Sequence, residues 1–531
     1  MSGPNCPNYE MIKVMAQVLG RPAHSLLALS DSRDPFYVTP GRLALAQWFA
    51  GIWDVLNPPH GYHLRRLHYR LVVMPDAERP KKLNGAVYLN IEEDWKTLSG
   101  ASVDARALGL VDAAKFTDRR AGEPVYIADD SGEGADASIF CYGAELDSPP
   151  EETAFAFEYE PERFEFPDLP NALVNAPRLA EPYAIEVWAE KSTMNDILVP
   201  LAQRLNVTLV TGLGELSFTH CLWHIRRVLA HRKKTRILYI SDHDPSGDQM
   251  PVSVARKIEY LLRRDGHDDL DIRLDPIVLT AEQVERYRLP RVPIKSSDAG
   301  KKHFEERFGE GATELDALEA LHPGELARIV ESAVDFYRDP TRQAGQENAA
   351  VAVEAWRETV DARAAVLAEH ESEIEALRQA FEQTLGEIED DQMVLAAIAE
   401  DVAARSQAHV ERINARAAAF YERADGLWRR IGLALARRLP HAEDFAWVEP
   451  EPPDAEEESL FDSARDYLDQ IEFTRRAPAG RRVDAATTMG ARHERAARLQ
   501  QRSECARPGA SARRPPQRQR HASARPPALS R

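Results

Sequence analysis

Cysteine is scarce in this sequence. The 531 residues include four, Cys6, Cys141, Cys221 and Cys505, scattered and without a CxxC pair. That spacing argues against a disulfide framework or a structural zinc site, and fits a reduced, cytoplasmic protein. No run of about 18 apolar residues occurs, so no membrane span is expected. The opening stretch "MSGPNCPNYEMIKVMAQVLG" lacks a basic region followed by an apolar core, so it is not read as a signal peptide. Nothing resembles a P-loop or a GHKL-type ATPase. Proline is missing between Pro340 and Pro440.

What is present is ample apolar sequence, 44% of the residues, enough for two or three domains. The formal charge of −19 is unevenly spread. From Arg475 to Arg531 there are 15 Arg and no Lys against Asp484, Glu494 and Glu504, a net of +12, which leaves −31 on residues 1–474. An acidic body argues against a general nucleic-acid coat while leaving room for a local basic groove.

Five regions follow from the patterning. Residues 1–125 read as mostly helical, and 126–180 as an irregular, Asp/Glu/Pro/Gly-rich insertion or linker with room for a hairpin. In 181–338 the runs "YAIEVWAE", "NVTLVTG", "TRILYIS" and "DIRLDPIVL" alternate with helical stretches 193–205, 216–232 and 248–264. That rhythm predicts a parallel sheet covered on both faces. Residues 341–439 carry apolar positions at sums of three and four, from Val353 and Trp356 to Ile388, predicting long helices in a coiled coil or helical hairpin. Residues 440–531 read as an acidic linker followed by a disordered basic tail.

The chemistry concentrates in "LYISDHDPSGDQM". Asp242 and Asp244 follow the apolar run that ends at Ile240, where ligands of parallel α/β sheets bind. Carboxylates that close repel one another, and a divalent cation offsets the repulsion. Upstream, "AIEVWAEKS" ends its own strand at Glu190-Lys191. If the two strands are neighbours, Glu190, Asp242 and Asp244 converge. An all-carboxylate set suits Mg²⁺ better than zinc. A bare DxD is also a common surface pair; the Glu-Lys strand end 52 residues earlier is what adds weight.

These motifs, "EVWAEKS…LVTGLG…LYISDHDPSGDQM", resemble a Toprim domain, the metal-binding module of topoisomerases, bacterial primases and certain nucleases. DxDPxG with EK upstream is similar in particular to the A subunit of topoisomerase VI and its meiotic relative. Glu314, Asp316 and Leu318 in "GATELDALEALHPGELARIVESAV" match the segment that closes this domain. The resemblance spans roughly residues 35–335. It implies an α/β protein: a helical, winged-helix-type N-terminal domain, a Rossmann-like parallel Toprim sheet, then long helices and the tail.

It also implies a nucleophilic tyrosine, and "HLRRLHYRLV" aligns Tyr69 with it, Arg65 with the family's arginine, and His68 with a position more often Tyr or Phe. Leu64, Leu67 and Leu71 form an apolar stripe, with Tyr69 off it and Arg65 and Arg66 on its own face. Neighbouring guanidinium groups favour an ionised phenol and can grip a phosphodiester. Arg66, Arg106, Arg119 and Lys191 are read as DNA contacts, although a solvated charge or, for Lys191, a bridge to a nearby carboxylate fits as well. The expected function is Mg²⁺-dependent cleavage of double-stranded DNA by Tyr69, with Arg65 and Glu190 as catalytic partners, in a homodimer, with a separate ATPase for full strand passage. Two alternatives remain: a Toprim nuclease that uses water, and a non-catalytic DNA-binding scaffold.

Overall fold

The starts of the first three α-helices are written in side chains that accept backbone N–H groups. In α1 (Tyr9–Leu19) the Asn8 carboxamide accepts from Met11, and in α2 (Pro40–Leu56) the Thr39 hydroxyl does so from Arg42, with Pro40 at the first helical position. The short α3 (Leu64–Val72) and α4 (Glu92–Ala107) pack with α2 around Phe49, Trp53, Leu67, Leu71 and Phe116. Trp53 and Phe116 stack at 4.1 Å. The computed structural model describes residues 6–117, 124–129, 134–153, 159–212, 214, 217–296, 298, 300–398, 403–453 and 459–476, all within the unit Met1–Arg481.

The insertion does hold a hairpin, β1 (Ser138–Tyr142) paired antiparallel with β2 (Asn171–Asn175). Beyond it the chain alternates: β3 (Tyr183–Ala189), α5 (Asn195–Leu205), β4 (Thr208–Thr211), α6 (Phe218–His231), β5 (Lys234–Ile240), α7 (Pro245–Asp265), β6 (Ile272–Val278) and α8 (Ala281–Arg286). Strands β3 to β6 are parallel, in the order β4-β3-β5-β6. Successive side chains point to opposite faces. Ile237 and Tyr239 therefore meet α6 and α7, whereas Leu238 and Ile240 meet α5 and the helices beyond. Burial on both faces is why these strands read as unbroken apolar runs.

After α9 (Lys301–Phe308) and α10 (Leu315–Leu321) come the long helices: α11 (Glu325–Glu369), α12 (Glu371–Ile398) and α13 (Ala403–Ala436). The expected boundary at 338–341 falls inside α11, which runs through Pro340. The missing N–H costs one helical hydrogen bond, and buried Tyr337 and Ala344 hold the turns on either side. Residues 159–170, expected as linker, lie along α12 and α13. There Phe164 and Phe166 enter the core, and the Trp428 indole donates to the Asp168 carbonyl at 2.8 Å.

The region expected as linker and tail departs most. Strand β7 (Phe461–Asp462) joins β6 antiparallel and makes the sheet five-stranded and mixed, and α14 (Tyr467–Arg476) follows. Buried Phe461, Tyr467 and Ile471 pin this segment to the core. A fully buried Arg256 binds Asp34 (3.0 Å), Glu259 (2.7 Å) and the Tyr467 hydroxyl (2.7 Å), so its charge is balanced and hydrogen-bonded. The chain is thus mixed α/β with fourteen α-helices among the described residues. Among those residues no helix is long and apolar enough to cross a membrane. The basic tail from 477 lies outside them.

Candidate functional site at the strand ends

The chain leaves β3 to one side, through α5 to β4, and then crosses to the other side through α6 to β5. This reversal opens a crevice at the carboxyl ends of β3 and β5, the place where α/β sheets bind ligands. Ala189 is in register with Ile240, so the residues just past them, Glu190 and the Ser241-Asp242 step, are brought side by side. Glu190 Oε2 lies 3.4 Å from the Asp242 backbone N–H, which donates to it. Both side chains are buried, at 8% and 5% exposure.

Burial, and then the charges of Asp242 and Asp244, push the Glu190 carboxyl up to about 7. This is the signature of crowded carboxylates without a full complement of positive charge. Asp242 is better supplied. Its Oδ1 accepts the Leu315 N–H at 2.8 Å, and its Oδ2 meets the Lys191 ammonium at 2.5 Å. Lys191 also reaches Glu314, at 3.4 Å.

Asp244 is engaged differently. It caps α7, its Oδ1 accepting the Gly247 N–H at 2.6 Å, and burial raises its carboxyl above the usual range. Pro-Ser-Gly after the aspartates now has a reason. Pro245 occupies the first helical position, where no N–H is needed. Gly247 passes so close to the preceding strand end that a Cβ there would sit 2.0 Å from the Asp242 carbonyl oxygen. Ser241 Oγ donates to the Gly247 carbonyl at 3.0 Å and ties the turn down.

Comparison with known proteins adds no identity. The chain matches no protein-family model and no curated protein.

Hard-cation chemistry can still be weighed on the donors. Mg²⁺ commonly takes one or two carboxylates and fills its other positions with water and phosphate. Glu190, short of positive charge, and the adjacent Asp242 fit that demand. Among the described residues no group of three His, Cys, Asp or Glu side chains is gathered as a metal cluster, since Asp244 turns to its helix cap and Lys191 occupies Asp242. His243 faces elsewhere, packed on Phe304 and Phe308 at 5.0 and 5.1 Å, and burial with the Arg291 charge pushes its imidazole down to about 4.

Tyr69 stands on α3, 53% exposed. The Arg65 guanidinium lies over the Trp95 ring at 4.4 Å, and no hydrogen bond joins Arg65 or Arg66 to Tyr69 among the described residues. Arg65 and Arg66 are exposed. His68, in contrast, is buried, its Nδ1 2.7 Å from the Tyr88 hydroxyl and its Nε2 3.1 Å from Asn90 Oδ1. It fixes the rotation of α3 that turns Tyr69 outward. Arg106, read from the sequence as a DNA contact, is 8% exposed and serves the fold, donating to the Ser102 carbonyl and the Thr219 hydroxyl. Arg119 lies outside the described residues.

Two hollows flank these groups. A cavity of about 480 Å³ touches Asp242 and is also lined by Asp31, Asp248, Arg307 and Arg475. A groove of about 770 Å³ separates the α2–α4 module from α6 and α7, with His63, Arg65, Lys96, Arg106 and Lys257 along its walls. Sequence reading missed Leu315 and Ser241, whose roles depend on a backbone amide 73 residues away and on a hydroxyl aimed into a turn.

Proposed function

We propose that the chain cleaves double-stranded DNA by transesterification, as a topoisomerase VI A-like protein in which the α2–α4 module serves as the winged-helix domain and the parallel sheet as the Toprim domain. The observation that carries this is the junction of Glu190 and Asp242 at the point where the sheet's winding reverses. In this reading the Tyr69 hydroxyl attacks a DNA phosphorus. The phenolic proton is lost, the bond to the 3′ oxygen breaks, and a 3′-hydroxyl leaves while the 5′ phosphate stays on Tyr69. Arg65 and Arg66, exposed on the same helix, hold the phosphate oxygens. Mg²⁺, when bound by Glu190 and Asp242, supplies positive charge for the developing phosphate and leaving-group oxygens. Asp244 keeps α7 in place beneath the site.

Tyr69 is not among the residues lining the cavity that touches Asp242, which favours a homodimer in which the tyrosine of one protomer serves the carboxylates of the other. The basic groove beside Arg65 supports duplex DNA as substrate. Strand passage would still call for a separate ATPase. Arg65 rests on Trp95 and not on Tyr69, and this favours a second reading, a Toprim nuclease using water. Supercoiled plasmid incubated with Mg²⁺, quenched with SDS and then treated with protease separates the two. Protein-linked broken DNA supports the transesterase, and free nicked product the nuclease. Intact plasmid refutes both.

A further inference from the structure

Lys191 follows Glu190 at the end of β3, yet its ammonium reaches across to the neighbouring strand's Asp242 Oδ2 at 2.5 Å. The other oxygen of Asp242 is already taken by the Leu315 N–H at 2.8 Å. Each oxygen of Asp242 thus already has a partner, and a divalent ion shared with Glu190 would face the ammonium on Oδ2 as a competing, repelling cation. A displaced ammonium has somewhere to go. Glu314 already lies 3.4 Å from the same nitrogen, and its side chain is 63% exposed against 4% for Asp242. A lysine, a compact charge on a flexible four-carbon stem, suits such a move.

We propose that Lys191 is a built-in counter-ion of the site: it neutralises Asp242 when no metal is present and shifts outward to Glu314 when a divalent cation enters. Metal loading is then an exchange of cations. Part of the ion's binding energy is spent on expelling Lys191, and the empty site is protected from its own repulsion. This rests on the metal-binding reading of Glu190 and Asp242.

Mn²⁺ binding followed by EPR, at fixed pH and ionic strength, tests it on the full chain without DNA. Removing a positive charge next to the ion should lower the Kd of K191M by about tenfold or more relative to wild type. K191R, which keeps the charge, should stay near wild type. E314Q should weaken binding in wild type and do so less in K191M, because the two side chains act as a pair. Metal-free K191M should melt below metal-free wild type, and saturating Mn²⁺ should narrow the gap. If K191M does not fold, K191Q makes the same comparison. Equal Mn²⁺ affinity in wild type and the charge-removing variant, K191M or K191Q, would overturn the exchange while leaving the metal reading intact. No binding in wild type or in any Lys191 variant would overturn both.

Discussion

Gly247→Ala makes the sharpest test of how the acidic turn is built. A methyl group there would lie 2.0 Å from the carbonyl oxygen, 2.9 Å from the carbonyl carbon and 3.3 Å from the nitrogen of Asp242. All three are backbone atoms at the end of a central strand, so no side chain can swing aside. Ordinary contact would need the start of α7 to retreat by more than about 1 Å. That retreat strains the Asp244 cap (2.6 Å) and the Ser241 hydrogen bond (3.0 Å). Overpacking costs about 1–3 kcal/mol, a lost cap about 1 kcal/mol and the hydrogen bond about 1 kcal/mol. The expected loss is about 3–5 kcal/mol, with metal-dependent cleavage falling alongside because Asp242 moves with its carbonyl. Controls lie in the same chain: Gly345, Gly386 and Gly426 sit within α11, α12 and α13, and a Cβ there meets nothing within 4 Å. Alanine at those positions should be neutral or stabilising by up to about 1 kcal/mol. Urea unfolding and thermal melting of the four variants provide the comparison. If Gly247→Ala melts with the controls and keeps full cleavage, the close approach does not hold the site together.

Tyr69→Phe should abolish the covalent DNA adduct and shift stability by less than about 0.5 kcal/mol, as it removes one hydroxyl from a half-exposed ring; an undiminished adduct on SDS gels would refute the assignment. Glu190→Gln and Asp242→Asn should each eliminate cleavage at every Mg²⁺ concentration, and a variant with wild-type metal dependence would remove the basis of the reading. Asp244→Asn should leave the melting temperature nearly unchanged, because asparagine caps as well as aspartate, but should raise the Mg²⁺ requirement in a titration. Burial would raise the Glu186 carboxyl, yet the charges of His224 and Arg227 outweigh it and hold the group well below the usual carboxylate range. Arg227 donates to it at 3.0 and 2.7 Å, and His224 Nδ1 lies at 3.1 Å without hydrogen-bond alignment. A depressed folded value means this stabilisation is present above the unfolded carboxyl's range, near ~4.3, and drains away as pH falls below it. Melting curves from pH 6 to pH 3 should therefore fall less steeply for Glu186→Gln than for wild type; parallel curves would contradict this.

The sheet was legible because strands buried on both faces leave a mark that survives without context: four short apolar runs, each followed by a helical stretch. The meeting of Glu190 and Asp242 followed from placing those strands side by side. What stayed hidden lacks local periodicity. A two-residue strand such as β7 carries no alternation to detect, and the acidic residues before it resemble a linker. Phe164 and Phe166 sit in an extended stretch whose partners on α12 and α13 come more than two hundred residues later. Arginine is equally silent about direction. Arg106 and Arg256 look in sequence like any surface cation, yet the first bridges α4 to Thr219 and the second is fully buried against Asp34. Lys191 offered two readings, and only the packing of α10 against the strand ends shows which partner it holds.

The Arg256 junction has a consequence for how the protein is made. Asp34, Arg256 and Tyr467 belong to three distant stretches, and Tyr467 also donates to the Leu26 carbonyl at 2.9 Å. On the ribosome, Asp34 and the flanking helices emerge first and wait for their countercharge. Arg256 follows, and its last donor finds Tyr467 only after 211 more residues. At roughly 5–20 residues per second, that interval is roughly 10–40 s. The sheet edge on β6 stays bare for the same period, because β7 is made just before Tyr467. A nascent chain therefore carries an open edge and a buried guanidinium one hydrogen bond short until translation has passed the acidic stretch at 449–459, and a chain stopped before that point would be a substrate for proteases or chaperones.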